Sequence, residues 1–249
     1  MLCVKPVLNL AAYKFVTLAD PLGFGESIRS QAQLRGLKGT VLLAEEGINL
    51  VLAGDPVALR GLLAWLRSDA RFDDLAAKES WSQTVPFGRL RVKVKREIIR
   101  MNHPAIRPEA GRAPTVTAAT LERWLTQGHD DGGRPVVTLD TRNGFEVDAG
   151  SFEGALDWRL SRFSDFPAAL ATHRDALAGK TVVTYCTGGI RCEKAALLMR
   201  EVGIEHVRQL DGGILKYFEE TAGAPHWRGG CFVFDERTTL DAALQPQPA

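Results

Sequence analysis

The sequence predicts an α/β protein built from two units, and three observations carry this prediction. Before residue 100 the pattern of apolar residues indicates strand, helix, strand, strand, helix and strand, which is the order of a small α+β sandwich. After residue 117 short apolar strands alternate with helices, which is typical of a parallel sheet covered on both faces. Residues 1–100 hold 15 Lys and Arg against 10 Asp and Glu, whereas residues 101–249 hold 16 against 20, so the two regions also differ in charge.

The first unit is predicted to contain two helices and four strands. They are a strand at 13–18, a helix at 22–37, a hairpin at 39–54 with its turn near Glu46 and Gly47, a helix at 55–68 and a strand at 88–98. Asp55 and Pro56 are typical of the N-cap and the first position of a helix. This order of elements matches a ferredoxin-like sandwich, and it resembles an acylphosphatase-type module.

The second unit follows a segment that carries three prolines and lacks steady periodicity. Its predicted strands lie at 134–140, 180–186 and 206–213, and its predicted helices lie at 166–177, 192–203 and 214–223. The sequence therefore predicts a ferredoxin-like domain over residues 1–100, a linker over 101–117, a parallel-sheet domain over 118–225, and a C-terminal extension and tail over 226–249.

The composition favours an ordinary globular protein, with 45% apolar and 24% charged residues. No apolar run approaches the length of a membrane span, and the start resembles no signal peptide, so we expect a cytoplasmic protein without a membrane partner. The four cysteines form no Cys-x-x-Cys pair and the histidines are scattered, so no zinc site, other metal site or disulfide framework is predicted.

Cys186 is the strongest candidate for a reactive group. It follows an apolar strand directly, at the edge of an open α/β sheet where ligands bind. It is followed by a loop that opens a helix and consists of Thr187, Gly188, Gly189, Ile190 and Arg191. The glycines allow backbone N–H groups to turn inward, and a positive charge lies close by in Arg191. Both effects favour the thiolate and lower the pKa of Cys186, and the same geometry could hold an anion attached to the sulfur.

Three further residues are candidates for supporting roles. Cys192, in the first turn of the predicted helix, could resolve an oxidised or persulfidated Cys186 or could simply pack beneath the loop. Asp140 and Arg142 follow another strand at the same edge of the sheet. Arg142 could pair with Asp140 or with Glu146 and brace the wall of the site, or it could face the substrate.

A row of cations lies on the predicted strand at 88–98. Alternation places Arg89, Arg91, Lys93 and Lys95 on one face of that strand. We call these four residues the basic stripe. Such a stripe could follow the phosphates of a nucleic acid, or it could be a solvated strand face.

The segment "YCTGGIRCEKAA" together with "LDGGILKYFEE" resembles a rhodanese-type domain, and "VTLDTRNGFEVDAGSFEGAL" resembles the first strand and turn of that domain. The resemblance implies that the loop cysteine can carry a persulfide. From Cys186 to Arg191 the spacing is Cys-x4-Arg, whereas the related phosphatase loops have one residue more. The shorter loop resembles the sulfur-carrying kind and disfavours phosphatase activity.

The combination of an acylphosphatase-like front with "EEGIN", the rhodanese loop and a closing "FVFDER" resembles the oxygen-dependent tRNA uridine hydroxylases. That resemblance implies conversion of the wobble uridine to 5-hydroxyuridine, with tRNA as substrate, molecular oxygen as co-substrate and no evident cofactor. The Cys186 thiolate could add to C6 of uracil, or a persulfide could react with oxygen first. A persulfide-carrying sulfurtransferase and a non-catalytic tRNA-binding module are the alternatives.

Overall fold

The computed structural model describes residues 6–247, and these residues fall into two units. The first comprises the described residues up to Ile99 together with Phe234–Arg237. The second comprises Arg100–Val233 and the described residues from Thr238 onward. The predicted tail at 226–249 includes two residues, 248 and 249, that lie outside the described residues, as does Cys3.

The first unit is a five-stranded sheet with two helices. Its strands are β1 (Val7–Phe15), β2 (Lys38–Ala44), β3 (Gly47–Gly54), β4 (Ala77–Ser82) and β5 (Leu90–Val94), and its helices are α1 (Pro21–Leu34) and α2 (Pro56–Arg67). The strand order is β4-β1-β3-β2-β5, and only the β2–β5 pair is parallel. Alternate residues of β1, such as Leu8 and Leu10, are buried in a core with Ile28 of α1 and Leu62 of α2. This confirms the α+β sandwich.

The sequence prediction misplaced one strand of this unit and missed another. The first strand is Val7–Phe15 and not 13–18, and the strand that completes the ferredoxin-like order is β4, which the sequence analysis missed. The alternating segment at 88–98 forms β5, a fifth strand added beside β2 at the sheet edge. Helix α2 begins as expected, because an oxygen of Asp55 accepts the N–H groups of Val57 and Ala58 at 3.0 and 3.1 Å.

The second unit is built around a parallel sheet. Its strands are β6 (Thr115–Val116), β7 (Val136–Asp140), β8 (Gly150–Phe152), β9 (Leu156–Asp157), β10 (Thr181–Tyr185), β11 (Val207–Leu210), β12 (Trp227–Gly229), β13 (Cys231–Phe232) and β14 (Thr239–Leu240). Its helices are α3 (Ala118–Gln127), α4 (Gly144–Val147), α5 (Phe166–His173), α6 (Ile190–Glu201) and α7 (Gly213–Glu220). The sheet order β6-β11-β10-β7-β9, parallel throughout, confirms the predicted class.

The order of the strands places the loop that follows β10 and begins with Cys186 at the middle of the carboxyl edge of the sheet. All five residues of β10 are buried, because strands flank it on both sides and helices cover its faces. The carboxyl ends of β10 and β7 are neighbours, with Tyr185 paired with Asp140. The segments that follow these two strands therefore meet at one place.

Two short antiparallel ribbons complete the second unit. Strand β12 pairs with β8, and β13 pairs with β14. Part of the predicted linker belongs to the sheet, since Thr115–Val116 forms its outer strand beside β11. Within residues 6–247, no helix combines the length and the apolar character needed to cross a bilayer.

Candidate active site

Cys186 lies between the end of β10 and the start of α6. The chain turns through Gly189, whose φ of 99° lies in the left-handed region that favours glycine. The turn aims the N–H of Gly189 at the Cys186 Sγ, at 3.2 Å. Cys186 is completely buried, whereas Thr187 and Gly188 are partly exposed. The loop therefore encloses the sulfur and offers it a hydrogen-bond donor.

The start of α7 holds the Cys186 loop through backbone hydrogen bonds. The N–H groups of Ile214 and Leu215 donate to the carbonyl oxygens of Cys186 and Thr187 at 3.0 and 3.1 Å. The loop thus satisfies N–H groups that have no partner within their own helix. Gly213 packs so closely that a Cβ there would collide with the Cys186 carbonyl oxygen, and its φ is 68°. A glycine is required at this point by both the conformation and the space.

Arg191 is paired with Glu146 of α4. Its Nη1 and Nη2 each lie 2.6 Å from a different carboxylate oxygen of Glu146. Both side chains are buried. Burial opposes the charged form of Arg191, but the hydrogen bonds and charge of Glu146 outweigh it and raise the pKa of the guanidinium. The cation of the loop is therefore fixed beside the sulfur as one half of an ion pair.

Arg142 forms a second buried ion pair, with Asp140. Its Nε and Nη2 contact the two carboxylate oxygens at 2.9 and 2.6 Å. The same guanidinium donates to the carbonyl oxygens of Glu146 and Gly150 at 3.1 and 2.6 Å. Because neither Asp140 nor Arg142 has an exposed side chain, this geometry is that of a brace for α4 and the segment after it.

The environment of Cys186 favours its thiolate. Burial by itself raises the pKa of a thiol, but a hydrogen bond from the Cys192 thiol and the charge of Arg191 act in the opposite direction. The N–H groups of Arg191 and Gly189 add to them, and the pKa of Cys186 falls well below the usual range for cysteine. Burial and the neighbouring sulfur raise the pKa of Cys192, which therefore keeps its proton. Its Sγ also lies 3.7 Å from the Thr141 hydroxyl.

Cys231 is a third buried thiol of the second unit, and its chemistry differs. Burial raises its pKa to about 12, so it remains protonated at neutral pH. No group of three or more His, Cys, Asp or Glu within residues 6–247 is arranged to hold a metal ion.

The basic stripe belongs to the first unit, not to the Cys186 site. All four of its side chains are exposed, on β5 and immediately beside it. Val92 and Val94 of β5 point the other way, since both lie near Gly25 of α1. The structure therefore places the four cations together on one side of an edge strand.

Several residues of the site were not among the candidates from sequence. Glu146 was considered only as a partner for Arg142, and Gly213 and Thr141 were not considered. A local signal for Glu146 exists, because its carboxylate accepts the Asn143 N–H at 3.0 Å, as the acidic residue of a capping box does. The pairing of Glu146 with Arg191 has no such signal, because it joins residues from two separate strand-to-helix connections.

Comparison with known families agrees with this architecture. Residues 7–98 match the UPF0176 acylphosphatase-like domain, and residues 117–220 match the rhodanese-like domain. A solved human single-domain sulfurtransferase is 26% identical, with a TM-score of 0.35, over 44% of this chain and 99% of its own. Fold and loop thus define the class: an acylphosphatase-like domain followed by a rhodanese-like domain that carries a loop cysteine.

Full-length relatives are more specific than the domain matches. The protein from Bordetella pertussis named tRNA uridine(34) hydroxylase is 67% identical over 241 residues, which are 97% of this chain and 98% of that protein. The protein of the same name from Variovorax paradoxus is 62% identical over 246 residues, 99% of this chain and 93% of that protein. The chain belongs to the tRNA uridine(34) hydroxylase family.

Proposed function

We propose that this protein hydroxylates the uridine at position 34 of tRNA, the wobble position, and that the product is 5-hydroxyuridine. One observation carries the proposal: a buried, thiolate-favouring Cys186 loop occurs in a chain that is 67% identical to a relative with this name. The names of the relatives do not favour the alternative of a sulfurtransferase. A hydroxylase adds an oxygen atom to its substrate, and we take molecular oxygen to be the source of that atom. The second oxygen atom then leaves as water, with two electrons and two protons supplied by a reductant of the thiol class.

Cys186 is the reacting group in this proposal. A cysteine acts as a nucleophile only when it is ionised. Cys186 is completely buried, which opposes ionisation, but the other groups of the site lower its pKa. The complete burial of Cys186 favours a persulfide over direct attack of the thiolate on uracil. The outer sulfur of a persulfide lies about 2 Å beyond Sγ, the length of a sulfur–sulfur bond, and so reaches farther from the backbone than the thiolate does.

The tRNA backbone is assigned to the first unit. The exposed cations of the basic stripe have the charge that phosphates require, and the strand holds them in a row. The Cys186 loop then acts on the base. A tRNA-modifying role is consistent with a protein that works in the cytoplasm.

The test is nucleoside mass spectrometry of tRNA from cells that lack the chromosomal gene and carry either wild type or Cys186→Ser. A serine hydroxyl is almost never ionised near neutral pH and holds no persulfide, so we expect the variant to lose 5-hydroxyuridine. Growth under oxygen-18 should add the heavy isotope to the modified uridine of the wild type. Replacement of an oxygen by sulfur would add none, so the isotope separates hydroxylation from thiolation.

Cys231→Ser is the matched control, because Cys231 is also a buried thiol but has a raised pKa. We expect cells with this variant to keep the modification. Normal 5-hydroxyuridine levels in cells carrying Cys186→Ser would contradict the role of Cys186. An unlabelled product under oxygen-18 would contradict the role of molecular oxygen.

A further inference from the structure

Phe145 is an exposed aromatic residue in the segment that carries the partner of Arg191. Half of its surface is exposed, although it lies between Gly144 and Glu146, which are both buried. The Gly144 N–H donates to the carbonyl oxygen of Leu160 at 2.8 Å, and the Glu146 carboxylate is held by Arg191 at 2.6 Å. The backbone on both sides of Phe145 is therefore fixed, while half of the residue's surface stays exposed.

A second aromatic residue sets the orientation of the ring. The rings of Phe145 and Phe232 are 5.2 Å apart and nearly perpendicular, at 83°. This edge-to-face arrangement is a favourable one for two aromatic rings. The Phe232 carbonyl oxygen in turn accepts a hydrogen bond from the Thr187 hydroxyl at 3.4 Å. The aromatic pair is thus joined to the Cys186 loop on two sides, through Thr187 and through Glu146.

We infer that Phe145 is a stacking platform for the base of the substrate uridine. The inference rests on the proposed function, since it takes the tRNA base as the occupant. An unpaired base in a single-stranded loop is recognised largely by stacking on aromatic side chains, and every base offers a π-face for this. A fixed, half-exposed phenyl ring beside the reactive loop meets this requirement. A single ring pair is far too small for a stable protein–protein interface.

Phe145 offers the base an apolar aromatic contact, which the Cys186 loop does not provide. The loop contributes N–H groups, a thiol and buried ion pairs, all of which act on charge and not on the flat apolar face of uracil. Phe145 supplies that apolar contact on a segment that is joined to the loop through Glu146 and Phe232. It is therefore a substrate-binding residue, and its loss should act on the affinity for RNA and leave the Cys186 thiol unchanged.

The experiment measures binding of the full-length protein to an anticodon stem-loop RNA with uridine at position 34 and to the same RNA with an abasic position 34. Phe145→Leu keeps an apolar side chain but removes the π-face, and we expect roughly 5- to 150-fold weaker binding to the uridine RNA. Phe145→Trp keeps a stacking face and should bind within a few-fold of wild type. On the abasic RNA the difference between wild type and Phe145→Leu should disappear.

Trp81→Leu is the matched control, because Trp81 is an exposed aromatic residue of the first unit. We expect it to bind both RNAs as wild type does. The rate of Cys186 alkylation should be the same in Phe145→Leu as in wild type.

Four results would overturn the inference: equal binding by Phe145→Leu and Trp81→Leu, a loss that persists on abasic RNA, a loss in Phe145→Trp as large as in Phe145→Leu, or slower alkylation of Cys186. Failure of the proposed function would be seen separately, as tRNA without 5-hydroxyuridine in cells that carry the wild-type protein.

Discussion

Gly213 gives a sharp test of how the Cys186 loop is held. An added Cβ would collide with the Cys186 carbonyl oxygen and would lie 2.7 Å from the Gly189 nitrogen and 2.9 Å from the Thr187 carbonyl oxygen. All three are backbone atoms of the loop, so no side chain can rotate away to make room. In Gly213→Ala the loop or the start of α7 must therefore move.

The expected loss has two parts. A left-handed backbone conformation costs a non-glycine residue roughly 1–2 kcal/mol. Displacement of the loop also weakens the two hydrogen bonds that Ile214 and Leu215 donate to it, each of which contributes about 0.5–1.5 kcal/mol. Together these effects should lower the free energy of unfolding of the second unit by about 2–5 kcal/mol. Gly223→Ala is the matched control, because Gly223 has a φ of 73° but open space around it. It should lose only the roughly 1–2 kcal/mol that comes from the left-handed backbone conformation.

The thiol gives the second readout. The added Cβ also displaces the Gly189 nitrogen, whose N–H donates a hydrogen bond to the Cys186 sulfur. A hydrogen bond to a charged group contributes about 1.5–3 kcal/mol. Loss of this bond should raise the pKa of Cys186 by about one to two units and slow its alkylation near neutral pH. The assays are denaturant unfolding and the pH profile of iodoacetamide labelling. If Gly213→Ala and Gly223→Ala behave alike in both, the close approach does not hold the loop.

Three further changes test the remaining parts of the site. Cys192→Ala removes a hydrogen-bond donor from the thiolate and should move the alkylation profile of Cys186 to higher pH, whereas a residue that only packs would leave the profile unchanged. Arg191→Ala should raise the pKa of Cys186, and an unaltered alkylation profile would show that Arg191 does not act on the thiol. The same variant leaves the Glu146 carboxylate buried without its partner, so it should destabilise the fold by about 3–5 kcal/mol, and an added Glu146→Gln should recover stability. Replacing the basic stripe by Gln should weaken tRNA binding and flatten the dependence of log K on log salt by roughly 0.7–0.9 per lost phosphate contact, whereas an unchanged slope would contradict phosphate contact.

The elements with strong periodicity could be predicted from sequence, and those without it could not. The strand that the sequence analysis missed, Ala77–Ser82, reads "AKESWS", and five of its six residues are only half-buried. None of its six residues is fully buried, so neither face of the strand requires regular alternation of apolar and polar residues. The segment "LRVKV" alternates strongly because it is an edge strand with one covered face, and this made it look like the final strand of the sandwich.

In the candidate site, residues that are close in sequence could be predicted together, whereas residues that only the fold brings together could not. The residues from Cys186 to Cys192 are contiguous, so the thiol, the turn and the start of α6 could be recognised together. The carboxylate that binds Arg191 comes from another strand-to-helix connection, and the glycine under the loop comes from a third. For Arg142 the sequence left two partners open. The structure gives it the Asp140 carboxylate and only the backbone carbonyl of Glu146, because the carboxylate of Glu146 belongs to Arg191.

The charges around the loop show what the site can attract. Arg191 pairs with Glu146, and Arg142 pairs with Asp140, so both of these buried cations already have an anion in contact with them. The thiolate is favoured by a hydrogen bond from the Cys192 thiol and by the paired charge of Arg191, and the N–H groups of Arg191 and Gly189 add to them. The hydrogen bonds and the paired charge act over short distances and stabilise one negative charge at one point. They give little attraction to the phosphates of an approaching RNA, which must therefore be bound by exposed cations such as those of the basic stripe, while the loop is left to act on the base.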